Sequence, residues 1–279
     1  MRIPRANWLA SYPKSGNTWV RMFIQAYGTG ELDIGMLNIV ESDLDVYAWQ
    51  NVCPFPIPEV GNDVLLLLRN AVIVHIIAKT GKRPIILKTH NVHAEINGIH
   101  PFPELITDSA VYLIRDPRDV AISWAKHLGV SVDEAIGFMN DKTYILRKPK
   151  SSGFHFTGTW SDNVKSWKHA TVVRYEDMLE NPKESFTKIL DAYGLTVNKP
   201  RLGKAIRLCN LERVKKQEKK KRFAETSEHT DSFFHHGTSG HWKDILSPDQ
   251  VRRIERDHRE VMEQYNYLES NVSELNDVA

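Results

Sequence analysis

An α/β fold is what the sequence predicts: three layers, with a central parallel sheet covered by helices on both faces, across residues 1–279 as one domain. Three observations carry that expectation. Short apolar runs at residues 8–11, 84–90, 110–114 and 171–175 have the length and composition of strands buried on both faces. Stretches with apolar residues at helical spacing separate them, the alternation that builds a parallel sheet. No internal repeat and no linker-like segment divides the chain.

Each element has its own signal. Trp8, Leu9, Ala10 and Ser11 make the first strand and run into the turn-rich Tyr12-Pro13-Lys14-Ser15-Gly16-Asn17-Thr18. Trp19, Met22, Phe23 and Ala26 then recur at helical spacing over residues 19–27. Residues 28–61, with Pro54, Pro56 and Pro58, are expected to form a long irregular loop. Residues 63–79 read as a helix closed by Gly81. Its apolar core, residues 64–78, is the most hydrophobic stretch of the chain, but Arg69, Asn70 and His75 interrupt it. A membrane span needs about 20 apolar residues, so a buried helix is expected instead.

The second strand, residues 84–90, ends in Leu87-Lys88-Thr89-His90, and the third, residues 110–114, ends in Arg115-Asp116-Pro117-Arg118-Asp119. A helix over residues 120–127 follows the third strand, and residues 171–175 form the fourth. Asn181-Pro182-Lys183-Glu184 predicts a helix start with Asn181 as its N-cap; Phe186, Ile189, Leu190 and Tyr193 line its apolar face and Gly194 stops it. Ser247-Pro248-Asp249-Gln250 is a capping box for a last helix whose core face is Val251, Ile254, Val261, Tyr265 and Leu268.

Composition narrows the function classes. Hydrophobic residues are 41% and charged residues 26% of the chain, which excludes wholesale disorder and collagen-like structure. The 37 Lys and Arg against 35 Asp and Glu leave a net charge of +2, so neither nucleic acid nor a membrane surface is expected as a partner. Cys53 and Cys209, with no CxxC pair, exclude a disulfide framework and a thiolate zinc site. The N-terminus has no apolar run of signal-peptide type, and a cytoplasmic location is expected.

The chemistry gathers at the expected carboxyl ends of the strands, where α/β sheets place their sites. A loop between a buried strand and a helix N-terminus suits an anion, because backbone N–H groups and the helix dipole converge there. In residues 14–18, Lys14 adds a charge, Ser15 and Thr18 add hydroxyls, and Gly16 lets the backbone approach closely. The loop lacks the G-x-x-x-x-G-K-[ST] pattern of nucleoside triphosphatases. Composition alone leaves two readings, an anion site and an ordinary turn with a surface lysine.

The run Ser11-Tyr12-Pro13-Lys14-Ser15-Gly16-Asn17-Thr18-Trp19 resembles the phosphosulfate-binding loop, Y-P-K-[SA]-G-[TN]-T-W, of sulfotransferases that use 3′-phosphoadenosine 5′-phosphosulfate (PAPS). Arg115-Asp116-Pro117-Arg118-Asp119-Val120-Ala121-Ile122-Ser123 resembles the family's second signature, R-[ND]-P-[KR]-D-x-x-x-S, in which the Arg and Ser hold the 3′-phosphate. Read alone, that segment is equally a surface turn with internal ion pairs. Leu87-Lys88-Thr89-His90 resembles the catalytic segment. A histidine is a natural base at neutral pH, although a lone one is more often structural. The resemblance implies that His90 is the general base and that Lys88 contacts the sulfuryl group.

Further matches extend the resemblance over about residues 7–268. Tyr175, in a Y-E-D-like segment, is implied to lie near adenine, and Trp160 belongs to a G-[ST]-W-like segment for which packing is the simpler reading. Leu211 stands near the position where many members place a phenylalanine on adenine. The stretch from His235-His236-Gly237 to Gly240-His241-Trp242 resembles R-K-G-x-x-G-x-W, a loop over the 3′-phosphate. Here His235 and His236 replace Arg and Lys, while Gly237 keeps its backbone N–H. A neutral histidine offers one donor, so phosphate binding through them is expected to weaken as pH rises. The basic run at residues 215–222 reads as a solvated helix face. His229, His235, His236 and His241 with Asp231 suggest a zinc reading, as do His90, His93 and His100, but none forms H-E-x-x-H and no metal is expected.

The resemblance thus implies a fold of the P-loop nucleotide-binding type and PAPS as donor. It further implies transfer to a hydroxyl, less readily an amine, of a small-molecule acceptor, with a likeness to bacterial natural-product sulfotransferases. Lys14 is expected to stabilise the leaving nucleotide, with Lys88 and Thr18 on non-bridging sulfuryl oxygens. The acceptor pocket is expected from residues 28–61, 93–103 and 129–156. Oligomeric state stays open. The rival readings are a P-loop kinase using ATP and a non-catalytic nucleotide-binding module that kept the fold.

Overall fold

The computed structural model describes residues 5–37, 39–53, 61–81, 84–147, 154–234 and 237–268. The chain opens with β1 (Ala6–Ser11) and α1 (Asn17–Thr29). Next come β2 (Val40–Ser42), α2 (Val46–Val52), α3 (Asn62–Thr80) and β3 (Ile85–Thr89). β4 (Thr107–Ile114), α4 (Pro117–Leu128), α5 (Val132–Met139), the short β5 (Ile145–Arg147) and β6 (Phe154–Phe156), and α6 (Trp160–Ser166) follow. β7 (Thr171–Arg174) leads through α7 (Tyr175–Glu180), α8 (Pro182–Ala192), α9 (Lys199–Leu208) and α10 (Leu211–Lys220) to α11 (Trp242–Ile245) and α12 (Pro248–Gln264).

The five-stranded sheet has the order β2-β3-β1-β4-β7 and every pair is parallel. Period-2 alternation sends neighbouring residues to opposite cores. Trp8, Ala10, Leu87, Tyr112 and Ile114 enter one core with α3, α4 and α12. Leu9, Ile86, Val111, Leu113 and Val173 enter the other with α1, α8 and α9. Both faces are therefore covered, as the continuous apolar strands require. The order reverses at β1, whose neighbours are β3 and β4, and this is where an open α/β sheet leaves a crevice for ligands. Pairing of Ala10 with Thr89 and with Tyr112 brings the ends of these three strands side by side.

Four expectations need correction. Residues 28–61 are not one irregular loop: they contain β2 and α2, the latter capped by Asp45, whose carboxylate accepts from Ala48 N at 2.7 Å. A three-residue strand at the sheet edge is too short to show a period. The prolines Pro54, Pro56 and Pro58 lie outside the described residues. The helix expected from residue 120 begins at Pro117, with Asp116 accepting from Arg118 N at 2.9 Å. Tyr175 opens α7 rather than ending β7. Asn181 makes no side-chain cap; its N–H closes α7 on Asp177 O at 2.8 Å and α8 starts directly after it. The Ser247 and Gln250 capping box forms as read. Among the described residues no helix is long and apolar enough to cross a membrane.

α12 also carries a pH-sensitive contact. His258 is 2% exposed; its Nδ1 lies 2.9 Å from Ser161 Oγ and its ring 5.3 Å from that of Trp160. Burial pushes its pKa from 6.5 down to about 4, against the opposite pull of Asp257 and Asp162. Between those values the unfolded chain binds the extra proton, so stability is intact above pH 6.5 and falls as pH drops toward 4. The expected loss is up to about 3 kcal/mol. Thermal melts at about pH 7.5 and about pH 5 should show it, and His258→Gln should flatten the difference.

Candidate donor and catalytic site

The turn after β1 is built to expose backbone donors. Lys14 (φ +68°) and Gly16 (φ +98°) both adopt left-handed conformations, and Gly16 stands at the N-cap of α1. A side chain at Gly16 would meet Tyr175 Cδ2 at 2.8 Å, so glycine is required there both for its φ and for the close approach. The first N–H groups of α1 have no intrahelical acceptor and suit an anion. Asn17 Nδ2 donates to Leu9 O (3.2 Å) and Ser11 Oγ (3.3 Å), tying the turn to β1. Its side chain is thus used structurally and its backbone N–H is left for a ligand. Ser15 Oγ is buried with no hydrogen-bond partner among the described residues.

Beside this turn a cavity of about 1030 Å³ opens at the carboxyl ends of the strands. Lys14, Gly16, Asn17, Thr18, Trp19, Lys88, His90, Arg115, Ser123, Tyr175, Leu211 and Gly237 all line it. Ser15 is buried behind it, and His235 and His236 lie outside the described residues. Residues up to 223 positions apart in sequence, Lys14 and Gly237, therefore share one wall.

β4 and α4 supply the second group. Arg115 Nη1 donates to Lys14 O at 3.1 Å, its guanidinium lies 4.4 Å from the Tyr175 ring centre, and its Nε is buried without a partner among the described residues. An orphaned guanidinium N–H in a cleft fits a phosphate oxygen. Burial raises the Tyr175 pKa, with Arg115 opposing, so its hydroxyl stays protonated. Trp19 meets Tyr175 edge-to-face at 5.9 Å. Asp119 accepts from Gly240 N (2.7 Å) and Trp242 N (3.0 Å), which pins the segment after Gly237 over α4. A side chain at Gly237 would collide with Leu211 Cδ2 at 2.6 Å.

His90 follows β3. Its Nδ1 lies 2.8 Å from Ser11 O and 3.2 Å from Ser11 Oγ. A carbonyl only accepts, so Nδ1 carries the proton in the neutral ring and Nε2 holds the basic lone pair. Asn163 Nδ2 donates to His90 O at 3.1 Å and fixes the main chain.

Behind β3 lies a polar cluster that sequence reasoning missed. Asp43 is fully buried and accepts from Arg69 Nη2 (2.8 Å), Thr89 Oγ1 (2.7 Å), Asn91 Nδ2 (3.2 Å) and His155 Nε2 (2.9 Å). Burial alone would raise its pKa; His155, Arg69 and Thr89 outweigh it and hold the carboxyl well below its usual range. The His155 ring meets that of His90 edge-to-face at 5.2 Å.

Two further residues were not read from the sequence. Arg21 Nη1 and Lys88 Nζ both reach Glu225 Oε1, at 2.6 and 2.8 Å, and Thr18 Oγ1 donates to Glu225 Oε2 at 3.3 Å. Lys14 Nζ stands 4.6 Å from the Phe233 ring centre. Arg21 shares the helix face of Thr18, one turn on, a local signal that could have found it. Nothing in the sequence pairs Glu225 with residues more than a hundred positions away.

Of the three segments expected to form the acceptor pocket, two contribute to cavities. Of residues 129–156, Leu146 and Arg147 line the large cavity. Of residues 28–61, Leu37, Val40, Glu41, Ser42, Leu44 and Asp45 line a second cavity of about 270 Å³ that adjoins Lys88 and His155. Residues 93–103 line neither, and His93 instead stacks on Phe102 at 5.1 Å. The basic run lies largely on α10, where Val214 and Glu218 face inward. Among the described residues no three His, Cys, Asp or Glu side chains group as metal ligands.

Comparison with known proteins bears on the family and the fold. A family model for a sulfotransferase domain matches residues 4–266. Cytosolic sulfotransferase 13 of Arabidopsis thaliana is 25% identical over 268 residues, 90% of this chain and 75% of the relative. Flavonol 3-sulfotransferase of Flaveria bidentis is 24% identical over 271 residues, 91% and 80% of the two chains. Retinol dehydratase in a complex with retinol and PAP superposes with a TM-score of 0.63 at 18% identity, over 93% of this chain and 81% of that one. A mouse sulfotransferase complexed with PAP gives 0.58 at 18% identity, over 94% and 86%. At such identity these two structures speak for the fold.

Proposed function

The chain belongs to the sulfotransferase domain family, and from that premise we propose that it moves a sulfuryl group from PAPS to a hydroxyl of a small-molecule acceptor, releasing adenosine 3′,5′-bisphosphate (PAP). The observation that carries this reading is a convergence in one cavity. The left-handed turn at Lys14 and Gly16, the Arg115 and Ser123 pair, and His90 with Nε2 as its basic nitrogen all meet there.

PAPS, when bound, supplies a sulfuryl group already activated by its phosphate leaving group. His90 Nε2 takes the acceptor's hydroxyl proton as the acceptor oxygen bonds to sulfur. The bond from sulfur to the bridging phosphate oxygen breaks, and Lys14 Nζ meets the charge growing on that oxygen. Lys88 and Thr18 hold non-bridging sulfuryl oxygens, and the N–H groups of the Ser15 to Thr18 turn hold the adjoining phosphate. Arg115, Ser123 and the Gly237 N–H hold the 3′-phosphate. Trp19, Tyr175 and Leu211 give the adenine its apolar surface. His235 and His236 belong to the proposal on sequence alone. Loose in-line transfer of this kind is driven by positioning and charge stabilisation, and no metal is part of the proposal.

Ile122, Trp124, Leu128 and Leu146 give the cavity an apolar wall, which supports a largely apolar small molecule as acceptor. The plant relatives, one a cytosolic sulfotransferase and one a flavonol 3-sulfotransferase, support the same class and a cytosolic location. We take residues 1–279 as one sulfotransferase domain. Incubation with sulfuryl-labelled PAPS and a panel of hydroxylated small molecules should yield labelled ester and PAP in equal amounts. Phosphoryl transfer from ATP and magnesium, with PAPS untouched, would instead favour the kinase reading. The absence of any transfer alongside tight PAP binding would favour the non-catalytic one.

A further inference from the structure

β3 ends at Thr89, so His90 stands one residue beyond the ladder of the sheet. Side-chain hydrogen bonds take over there. Thr89 Oγ1 donates to Asp43 Oδ2 at 2.7 Å and accepts from Asn91 N at 3.2 Å. A hydroxyl has one proton, and an ionised carboxylate can only accept. The proton of Thr89 is therefore committed to Asp43, which leaves the oxygen's lone pairs for the N–H of Asn91. The result is a side-chain-closed turn from residue 89 to residue 91, with His90 at its apex.

Asp43 grips the far side of the turn as well. Asn91 Nδ2 donates to the same Oδ2 at 3.2 Å, and Asp43 N donates to Lys88 O at 3.4 Å. Its other oxygen, Oδ1, accepts from His155 Nε2 at 2.9 Å, and the His155 ring packs edge-on to that of His90. Asp43, Thr89, Asn91 and His155 are each at most 2% exposed. Water does not compete for these bonds, and a partner that is lost has no substitute. The Arg69 guanidinium, 2.8 Å away, offsets the burial of the carboxylate and keeps both its oxygens as acceptors. Resting on the reading of His90 as the general base, we propose that Asp43 is a positioning residue for it: by holding Thr89 and Asn91 on either side, it sets where His90 Nε2 stands in the cavity.

Removing Asp43 alone strands the Arg69 charge in the interior, so the first test goes through Thr89. Thr89→Val deletes the hydroxyl that closes the turn, and Thr89→Ser keeps it. With labelled PAPS and the full chain, Thr89→Val should lower turnover by about tenfold or more, since small misplacements of a reacting group are costly. PAP affinity by calorimetry should stay unchanged, and Thr89→Ser should recover most of the turnover. Asp43→Asn combined with Arg69→Gln removes both charges together and should show the same loss of turnover with PAP binding kept.

A double-mutant cycle with His90→Ala decides between positioning and mere structure. Thr89→Val should cost nothing further once the His90 side chain is gone, because the turn then has no base to place. An equal loss with and without His90, or no loss in either background, would show that the cluster only holds the fold and would overturn the proposal. Full turnover in His90→Ala by itself would instead overturn the reading of His90 on which the proposal rests.

Discussion

Replacing His90 by alanine is expected to lower turnover by about 10²- to 10⁴-fold, the range for loss of a positioned general base, while PAP binds as tightly as before. The separation follows from the geometry. The His90 ring is oriented by Ser11 O through Nδ1 and its main chain by Asn163. Neither contact belongs to the turn at Gly16 or to Arg115, where the nucleotide is proposed to sit. Turnover with the acceptor found by the labelled screen, read beside calorimetry with PAP, checks it. Full turnover in His90→Ala would remove His90 as base.

Lys14→Met should cost about 10²- to 10³-fold in turnover, comparable to removing one preorganised donor from a developing anion. Methionine keeps most of the stem and deletes the charge. Because the backbone at Lys14 is held at φ +68° by the turn and by Arg115 on its carbonyl, the fold of the loop does not depend on the ammonium. PAP affinity should therefore fall much less than turnover. An equal drop in both would mean that Lys14 serves ground-state binding, and that another group stabilises the leaving oxygen.

Sequence legibility follows the range of the interactions. The loop from Lys14 to Thr18 was readable because strand, turn and helix start lie within a dozen residues and each leaves a local signal. Arg115 and Ser123 were readable for the same reason. The parallel sheet was legible from apolar runs such as residues 84–90, whereas β2 was not, being three residues at an edge. Asn181 looked like a cap, but its backbone serves the end of α7, a tertiary detail that propensity does not contain.

The cluster around Asp43 and the place of Glu225 were illegible for a deeper reason. Asp43 gathers Arg69, Thr89, Asn91 and His155 from three separate parts of the chain. Glu225 lies 204 positions from Arg21 and 137 from Lys88. No period or motif encodes such pairings; only the strand order does, by setting the ends of β2, β3 and β1 beside one another. Recognition of the motifs found the residues proposed to act on the donor, and the fold then showed which charges they face.

Ligand-induced stabilisation tests the central claim most directly. PAP at about a hundred times its dissociation constant adds about 2.7 kcal/mol to the folded state, which for a chain of this size raises the melting temperature by several degrees. The account predicts that rise with PAP and none with ADP plus magnesium at the same concentration. A rise with ADP plus magnesium and none with PAP would contradict it.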